Sequence, residues 1–269
     1  MHDQQAGLWR RDLRRLSDRS TLAPRAQTGN VSGMNRRVAI AFALSLLVVA
    51  RADASERTYS VTSFERIRVQ GPFEVRLTTG KAPSARVEGD TAAFDGISVS
   101  IDGNTLTVRR AIGDGGQANG GRGSAPIITL ATPLLRSALV TGGGRLAITG
   151  MKSQRADLAV NGVGALSVSG IATDQLVATV IGTGTMTLAG RAQRAQLLTN
   201  GSGTIAAAAL DVNDLTVRLD GPGKTDASAR FSATIINSGL GEINVAGSAA
   251  CVVKSPAGGV VSCGKGGQR

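Results

Sequence analysis

Hydrophobic and polar residues alternate in steps of two on both sides of a glycine pair that recurs six times within residues 141–247. Each pair has the form Gly-x-Gly, and the first glycines of successive pairs are 20, 20, 19, 20 and 18 residues apart. Self-similarity at a fixed period of this size predicts a solenoid with one supersecondary unit per repeat. The pairs are Gly142/Gly144, Gly162/Gly164, Gly182/Gly184, Gly201/Gly203, Gly221/Gly223 and Gly239/Gly241.

Four mainly apolar columns accompany the glycine pairs and define the predicted core. They lie four and two residues before the first glycine of each pair, and four and six residues after it. Steps of two are the β-strand period, so all four columns face one side. In that order the columns are Ala138, Leu158, Ala178, Leu197, Val217 and Ile235; Val140, Val160, Val180, Thr199, Leu219 and Asn237; Leu146, Leu166, Met186, Ile205, Thr225 and Ile243; and Ile148, Val168, Leu188, Ala207, Ala227 and Val245.

Each repeat therefore reads as a short strand, a glycine corner, a second short strand and a more variable segment. Glycine suits the corner because it accepts positive φ, and a third glycine often closes the second strand (Gly150, Gly170, Gly190 and Gly247). A coil of about 20 residues is too short for a βαβ unit. We predict an all-β fold, a single-stranded parallel β-helix (β-solenoid). An up-and-down antiparallel barrel would not require the same residue at the same phase of each repeat.

The residue pattern of segment 55–140 predicts lead-in strands, that is, strands that precede the regular repeats. Strand patterns occur at 64–69, 73–77, 84–88 and 127–130. A hairpin is predicted between 97–101 and 106–108, because Asp102-Gly103-Asn104 is a strong turn signal. The glycine-rich stretch 113–124 predicts a mobile loop.

The order of these features resembles a known family. It covers Phe64-x-x-Ile67-x-Val69-x-Gly71-x-Phe73-x-Val75, then Val87-Glu88-Gly89, Leu106-Thr107-Val108 and the Gly-x-Gly coils. Over residues 59–253 the chain resembles the family described as putative auto-transporter adhesin, head GIN domain. The resemblance implies an exported bacterial protein with a right-handed β-helix, and the family name implies adhesion. It supplies no catalytic residues to transfer.

The N-terminal region predicts a secretory signal peptide at 34–54. Met34-Asn35-Arg36-Arg37 is a basic start, residues 38–50 are apolar except Ser45, and Ala52-Asp53-Ala54 is a cleavage signature. The apolar run is shorter than the ~20 residues that a membrane span needs, although a retained anchor is the alternative. Residues 1–33 are then a disordered extension or lie upstream of the true start at Met34. The signal could be of the Sec or the twin-arginine type.

The predicted domain organisation follows from these boundaries. A head GIN-like β-helix domain spans 55–269, with lead-in strands at 55–140, regular coils at 141–247 and a C-terminal cap or tail at 248–269. The net charge of the whole chain is +11. Without residues 1–54, 21 basic and 15 acidic side chains remain, a net charge of +6. No basic cluster or set of stacking aromatics predicts nucleic-acid binding.

Cys251 and Cys263 are the two cysteines of the chain, both near its C-terminal end. In an oxidising compartment this spacing favours a disulfide that staples the last coil. Two thiolates alone do not complete a tetrahedral metal site.

The sequence contains no catalytic constellation, so we predict neither an enzyme nor a cofactor or metal site. His2 is the single histidine and lies upstream of the predicted signal, which excludes His-dependent triads and His-ligated metals in a processed chain. The glycine pairs lack the third glycine of a dinucleotide fingerprint. They also lack the aspartate of calcium-binding β-helix repeats, since the equivalent position is apolar in most coils.

Polar residues that share a phase in successive coils would stack into a ladder. Counted from the glycine pairs, Asp157, Asp174 and Asp214 fall out of phase. Arg191 and Arg230 share a phase, but Leu210 falls between them. Just before the glycine corners stand Asn161, Asn200, Asp220 and Ser238, which we interpret as turn-forming residues, with a ligand-binding ladder as the alternative.

The leading functional hypothesis is a non-catalytic, exported cell-envelope protein that presents an adhesive or binding surface. Its partner would be an envelope or extracellular polysaccharide, or another surface protein. The location would be the periplasm, the outer membrane or the cell surface of a bacterium. The alternatives are a polysaccharide-cleaving enzyme on the same scaffold and a structural envelope protein that self-associates through exposed strand edges.

Overall fold

The computed structural model describes residues 55–89, 94, 96–111 and 126–264, all within the compact unit Asp53–Arg269. The predicted signal peptide at 34–54, the extension 1–33 and the loop at 113–124 lie outside these residues. The described strands are β1 (Ser55–Tyr59), β2 (Arg66–Gln70), β3 (Glu74–Thr79), β4 (Ser84–Gly89), β5 (Ile97–Asp102), β6 (Thr105–Arg110), β7 (Ile127–Thr132), β8 (Ser137–Thr141), β9 (Arg145–Gly162), β10 (Ala165–Gly182), β11 (Thr185–Asn200), β12 (Thr204–Asp220), β13 (Lys224–Asn237), β14 (Glu242–Gly247), β15 (Ala250–Lys254) and β16 (Val260–Cys263).

Strands β9 to β13 stack in parallel, and each contributes most of one coil. The β9–β10 pairing is interrupted at Gly150/Gly170 and again at Gln154/Asp174, so each of these coils has three paired runs. The fold is a β-solenoid of about six turns, which confirms the predicted fold class.

We name the three runs by their order after the glycine corner. In β9 the first face is 145–149, the second face is 151–153 and the third face is 155–162. The second face corresponds to the more variable segment of each repeat, for which the sequence predicted no strand. It is a paired run within each strand, and it contributes the buried side chains of Met151 and Ile171 to the core.

The predicted core is confirmed, since every member of the four columns is buried. A further buried column, six residues before the first glycine, completes the third face. Its members are Ala156, Leu176, Ala195, Leu215 and Ala233. Three of the polar column members find partners inside the core. The Thr199 and Thr225 hydroxyls are 3.2 Å apart, and Asn237 Nδ2 donates to the Gly241 carbonyl at 2.9 Å.

The two glycines of each corner are required for different reasons. The first glycine has positive φ at five of the six corners, for example +103° at Gly182, as the turn interpretation predicts. The second glycine does not have positive φ and is required by contact instead. A Cβ on Gly184 would lie 2.6 Å from Val160 Cγ1 and 2.8 Å from the Gly164 carbonyl oxygen. The corners therefore stack backbone directly on backbone.

The N-terminal end departs from sequential stacking. Strand β2 lies between β6 and β8, and β3 lies between β7 and β9, all in parallel. Outside this layer the pairing becomes antiparallel: β5 pairs with β6, β4 with β7, and β1 with β4. The predicted hairpin around Asp102-Gly103-Asn104 is the β5–β6 pair.

The C-terminal end continues the solenoid past Gly247. Strand β15 pairs in parallel with β13, and β16 pairs in parallel with β14. Gly259 occupies the position of a second corner glycine, because a Cβ there would collide with the carbonyl oxygens of Gly239 and Gly241. None of the described residues forms a helix with the length and apolar character of a membrane span.

Candidate functional site

The corner between the second and third faces carries a stack of polar side chains. Pairing on both sides of the corner brings Gln154, Asp174, Gln193 and Asn213 to equivalent positions in four successive coils. We call this stack the polar corner. Neighbouring strands lie about 4.7–4.9 Å apart, so the polar corner presents one polar side chain at each such step.

Two shallow grooves flank the polar corner. The second-face groove has a volume of about 800 Å³ and includes Arg191, Asp211 and Arg230. The third-face groove has a volume of about 640 Å³ and includes Arg194 and Asp214. Two grooves on the other parts of the solenoid measure only about 300 and 280 Å³. The polar corner is therefore the ridge between the larger concave surfaces.

The strand register gives Arg191 a different neighbour from the one predicted by counting from the glycine pairs. Leu210 is buried and pairs with Gly190, whereas Arg191 pairs with Asp211. The residue that follows Arg191 along the stack is thus an aspartate, and Arg230 lines the same groove. Counting failed here because register irregularities in β11–β12 and β12–β13 fall between the glycine corner and this segment.

The register confirms that the aspartates are out of phase, since Asp174 is equivalent to Asn213 and not to Asp214. Asp174 and Asp214 both line the third-face groove, whereas Asp157 lies apart on the third face and pairs with Arg155 Nε at 3.2 Å. The Ser232 hydroxyl donates to Asp214 Oδ1 at 2.6 Å. The structure thus brings two of the three aspartates to one concave surface.

Hydrogen bonds within the polar corner use only part of its capacity. Asn213 Nδ2 donates to Gln193 Oε1 at 2.7 Å. The Thr173 hydroxyl donates to the backbone carbonyl oxygen of Gln154 at 3.2 Å, so this bond does not use the Gln154 side chain. Within the described part of the chain, the side chains of Gln154, Asp174 and Asp211 have no hydrogen-bond partner. The ridge can therefore both donate to and accept from a ligand.

Phe231 extends the polar corner by one coil. The pairs Val212–Ala229 and Asp214–Ser232 enclose Asn213 on one strand and Arg230 with Phe231 on the other. Phe231 is 66% exposed and is the one exposed aromatic side chain in the described ranges. Sequence reasoning missed it because the extra residue has no counterpart in earlier coils.

The residues before the glycine corners form no side-chain ladder. Asn161 and Asp220 contribute backbone carbonyls to bonds between coils, accepting from the amides of Gly142 and Gly201. Their side chains, and that of Asn200, make no hydrogen bond to other described residues. The side-chain bonds to the turn come instead from Asn237, whose Oδ1 accepts from the Gly239 amide at 3.2 Å.

Cys251 and Cys263 are bonded to each other, with their Cα atoms 6.4 Å apart. Cys251 pairs with Ala233 and Cys263 with Val245, so both cysteines continue inward-facing columns. The bond therefore spans the last corner that the structure describes, and no further described coil covers the core there.

Charged side chains beside one glycine corner are paired with one another, unlike those at the polar corner. Lys224 Nζ lies 3.5 Å from Glu242 Oε1 and 3.7 Å from Asp226 Oδ1. Asn244 Nδ2 donates to Glu242 at 2.6 Å, and this bond, followed by the charge of Lys224, lowers the pKa of Glu242. Across the part of the chain that the structure covers, His, Cys, Asp and Glu form no group of three suited to a metal ion.

A family model matches residues 63–249, and its family is described as putative auto-transporter adhesin, head GIN domain. A search of curated proteins finds no match.

Solved structures share the fold at low sequence identity. A putative adhesin from Bacteroides fragilis is 24% identical, with 80% of this chain and 94% of that chain covered and a TM-score of 0.67. A putative adhesin from Parabacteroides merdae is 20% identical, with coverages of 79% and 96% and a TM-score of 0.61. A putative lipid binding protein from Parabacteroides distasonis is 19% identical, with coverages of 79% and 97% and a TM-score of 0.61.

Proposed function

This chain belongs to the putative auto-transporter adhesin, head GIN domain family, and from that premise we propose that it is a non-catalytic, exported envelope protein that binds a surface polymer along the polar corner. The observation that carries the proposal is the pair of large grooves on either side of one polar ridge. A solenoid presents an extended surface rather than a closed pocket, and repeat proteins use such surfaces for binding.

Export is part of this proposal and rests on the basic and apolar pattern of residues 34–54. Export also accounts for the cysteine pair, because disulfides persist in oxidising compartments. On this proposal the protein is processed to begin at Ser55, and Cys251 and Cys263 are oxidised.

The first test combines cell fractionation with protease treatment of intact cells that express the full chain. We expect the protein in the envelope fraction, with Ser55 at its N-terminus by intact-mass measurement and no titratable thiol. The purified protein should also bind isolated envelopes or extracellular material. A full-length, reduced chain in the cytosol, or a complete lack of binding to such material, would contradict the proposal.

A polysaccharide-cleaving enzyme is a second candidate, because Asp174 and Asp214 line one groove. They lie two coils apart, roughly 9–10 Å between backbones at the usual strand spacing. Carboxyl groups of inverting glycosidases are about 6.5–9.5 Å apart. Release of reducing ends from a bound polysaccharide, abolished by Asp174→Asn, would favour this candidate; binding without release favours the adhesin-like function.

A further inference from the structure

We propose that the ligand of the polar corner is an extended, uncharged glycan that runs along the stacking direction of the coils, with one sugar unit per coil. This inference rests on the proposed binding function and names its ligand class. The polar corner, together with Phe231, would contact a segment of about five sugar units.

The hydrogen-bonding groups of the polar corner match those of sugars. A sugar hydroxyl is both a donor and an acceptor, and the amides of Gln154, Gln193 and Asn213 offer both functions. The Asp174 carboxylate adds an acceptor that no described side chain uses. Each coil therefore offers at least one group that can pair with a hydroxyl at no loss of an existing side-chain bond, except between Gln193 and Asn213.

The spacing of the polar corner favours a polymer with a short, regular repeat. Successive coils place their polar side chains about 4.7–4.9 Å apart, which is close to the advance of one pyranose unit in an extended chain. A folded protein partner that is not itself a solenoid has no such regular repeat along its surface. The glycine corner does not offer the same chemistry, because its exposed middle positions hold residues such as Val163, Thr183 and Leu240 rather than a run of amide and carboxylate groups.

Phe231 gives the surface an apolar platform at one end. One face of a pyranose ring is lined with C–H groups and packs on an exposed aromatic ring. The neighbouring Arg230 lines the second-face groove. Hot spots of protein–protein interfaces cluster, whereas Phe231 is the one exposed aromatic side chain among the described residues.

The charges of the two grooves favour an uncharged ligand. Arg155 also lines the third-face groove, but its charge is offset by Asp157, which lies 3.2 Å away. Arg191, Arg194 and Arg230 are interspersed with three aspartates, Asp174, Asp211 and Asp214. In the described part of the molecule, none of these six side chains forms an ion pair. A polyanion would gain from the arginines and lose from the aspartates, so neither nucleic acid nor an acidic polymer has a net electrostatic advantage.

The experiment measures binding of the protein, purified from expressing cells, to three portions of the same envelope material. One portion is untreated, one is treated with periodate, which cleaves the vicinal diols of sugars, and one is digested with protease. We expect periodate to abolish binding and protease to leave it unchanged. Fragments of the retained glycan should bind more tightly with length up to about five units and then reach a plateau.

Variants assign the binding to the polar corner. The double variant Gln193→Ala/Asn213→Ala and the single variant Phe231→Ala should each weaken binding about tenfold or more, since each removes direct contacts. Gln196→Ala on the third face and Leu240→Ala at a glycine corner are the matched controls. Both alter exposed side chains outside the two grooves, and both should bind like the unaltered protein.

The outcomes separate this inference from the function on which it rests. Binding that survives periodate but not protease identifies a protein partner, which overturns the glycan while leaving an adhesin-like function intact. Equal loss of affinity in the polar-corner and control variants overturns the assigned surface. Binding that disappears with moderate salt and is competed by an acidic polymer overturns the uncharged ligand. If untreated material is not bound at all, the proposed function itself fails.

Discussion

The glycine corner and the polar corner turn the same chain in the same coils, yet they are built in opposite ways. At the glycine corner, backbone packs on backbone, and a carbon atom added to the second glycine has no room. At the polar corner, side chains project into two grooves and leave hydrogen-bonding groups unused. The corner with the strongest sequence signal is thus a structural requirement, while the corner without a signal holds the candidate chemistry.

The largest expected contrast comes from adding one methyl group at the glycine corner. Gly184→Ala places a Cβ 2.6 Å from Val160 Cγ1 and 2.8 Å from the Gly164 carbonyl oxygen. We expect a loss of unfolding free energy of about 3 kcal/mol, the upper end of the usual overpacking cost. Urea denaturation measures it, with Thr183→Ala at the exposed middle position of the same corner as control. An unchanged midpoint would mean that the corner is loosely packed.

The next effect concerns the last corner, which the Cys251–Cys263 bond spans. Closing a loop of this size in the unfolded chain is worth up to about 3 kcal/mol. Because solenoid coils contact mainly their neighbours, we expect Cys251→Ser/Cys263→Ser to act locally. Amide hydrogen exchange should accelerate in β15 and β16 and stay slow in β10 and β11. Equal acceleration in all coils would contradict local action, and a reducing agent should have no effect on the double variant.

Substitutions at the polar corner should lower the unfolding free energy much less than a substitution at the glycine corner does. We expect Gln193→Ala/Asn213→Ala to change the unfolding free energy by about 0.5 kcal/mol or less, because the pair is exposed and removal of both partners leaves no buried unpaired group. The same urea denaturation compares it directly with Gly184→Ala. A loss approaching that of the glycine variant would show that the polar corner is a structural element, and would remove the basis for assigning it a ligand.

The smallest effect distinguishes charges that are already paired from charges that are free. Asn244 and Lys224 lower the pKa of Glu242, so ionised Glu242 is favoured in the folded state. Its contribution to stability is present above the ordinary glutamate pKa and is lost as the pH falls through the lowered value. Titration followed by NMR should show Asn244→Ala moving the Glu242 pKa upward. No movement would mean that the hydrogen bond is absent in solution.

The repeated part of the fold follows from the sequence because its signals are tied to the glycine pairs. Leu166, Val168 and Val180 are buried where counting from a glycine puts them. The second face was not foreseen, since it is the part of the coil that varies in length. Met151 and Ile171 pair with each other, but the equivalent in the next coil is Gly190.

The candidate site escaped sequence reasoning for the same physical reason. A slip of one residue moves a side chain to the opposite surface of a strand. Arg191 was assigned to Leu210 by counting and pairs with Asp211 in the structure. Phe231 fills an insertion opposite Asn213 and belongs to no column. Only the strand register, which depends on packing along the whole coil, brings these residues together.

The position of β2 and β3 inside the stack has a consequence for how the chain acquires its fold. These strands leave the ribosome before the coils do, yet one of their two neighbouring layers is supplied by β6 and β7. Pairings between such distant segments are slow to form because the intervening chain must close as a loop. From β9 onward each new coil can pair in parallel with the preceding coil, which has already formed. Assembly should therefore have a late start at residues 66–149, followed by rapid growth toward the C-terminus.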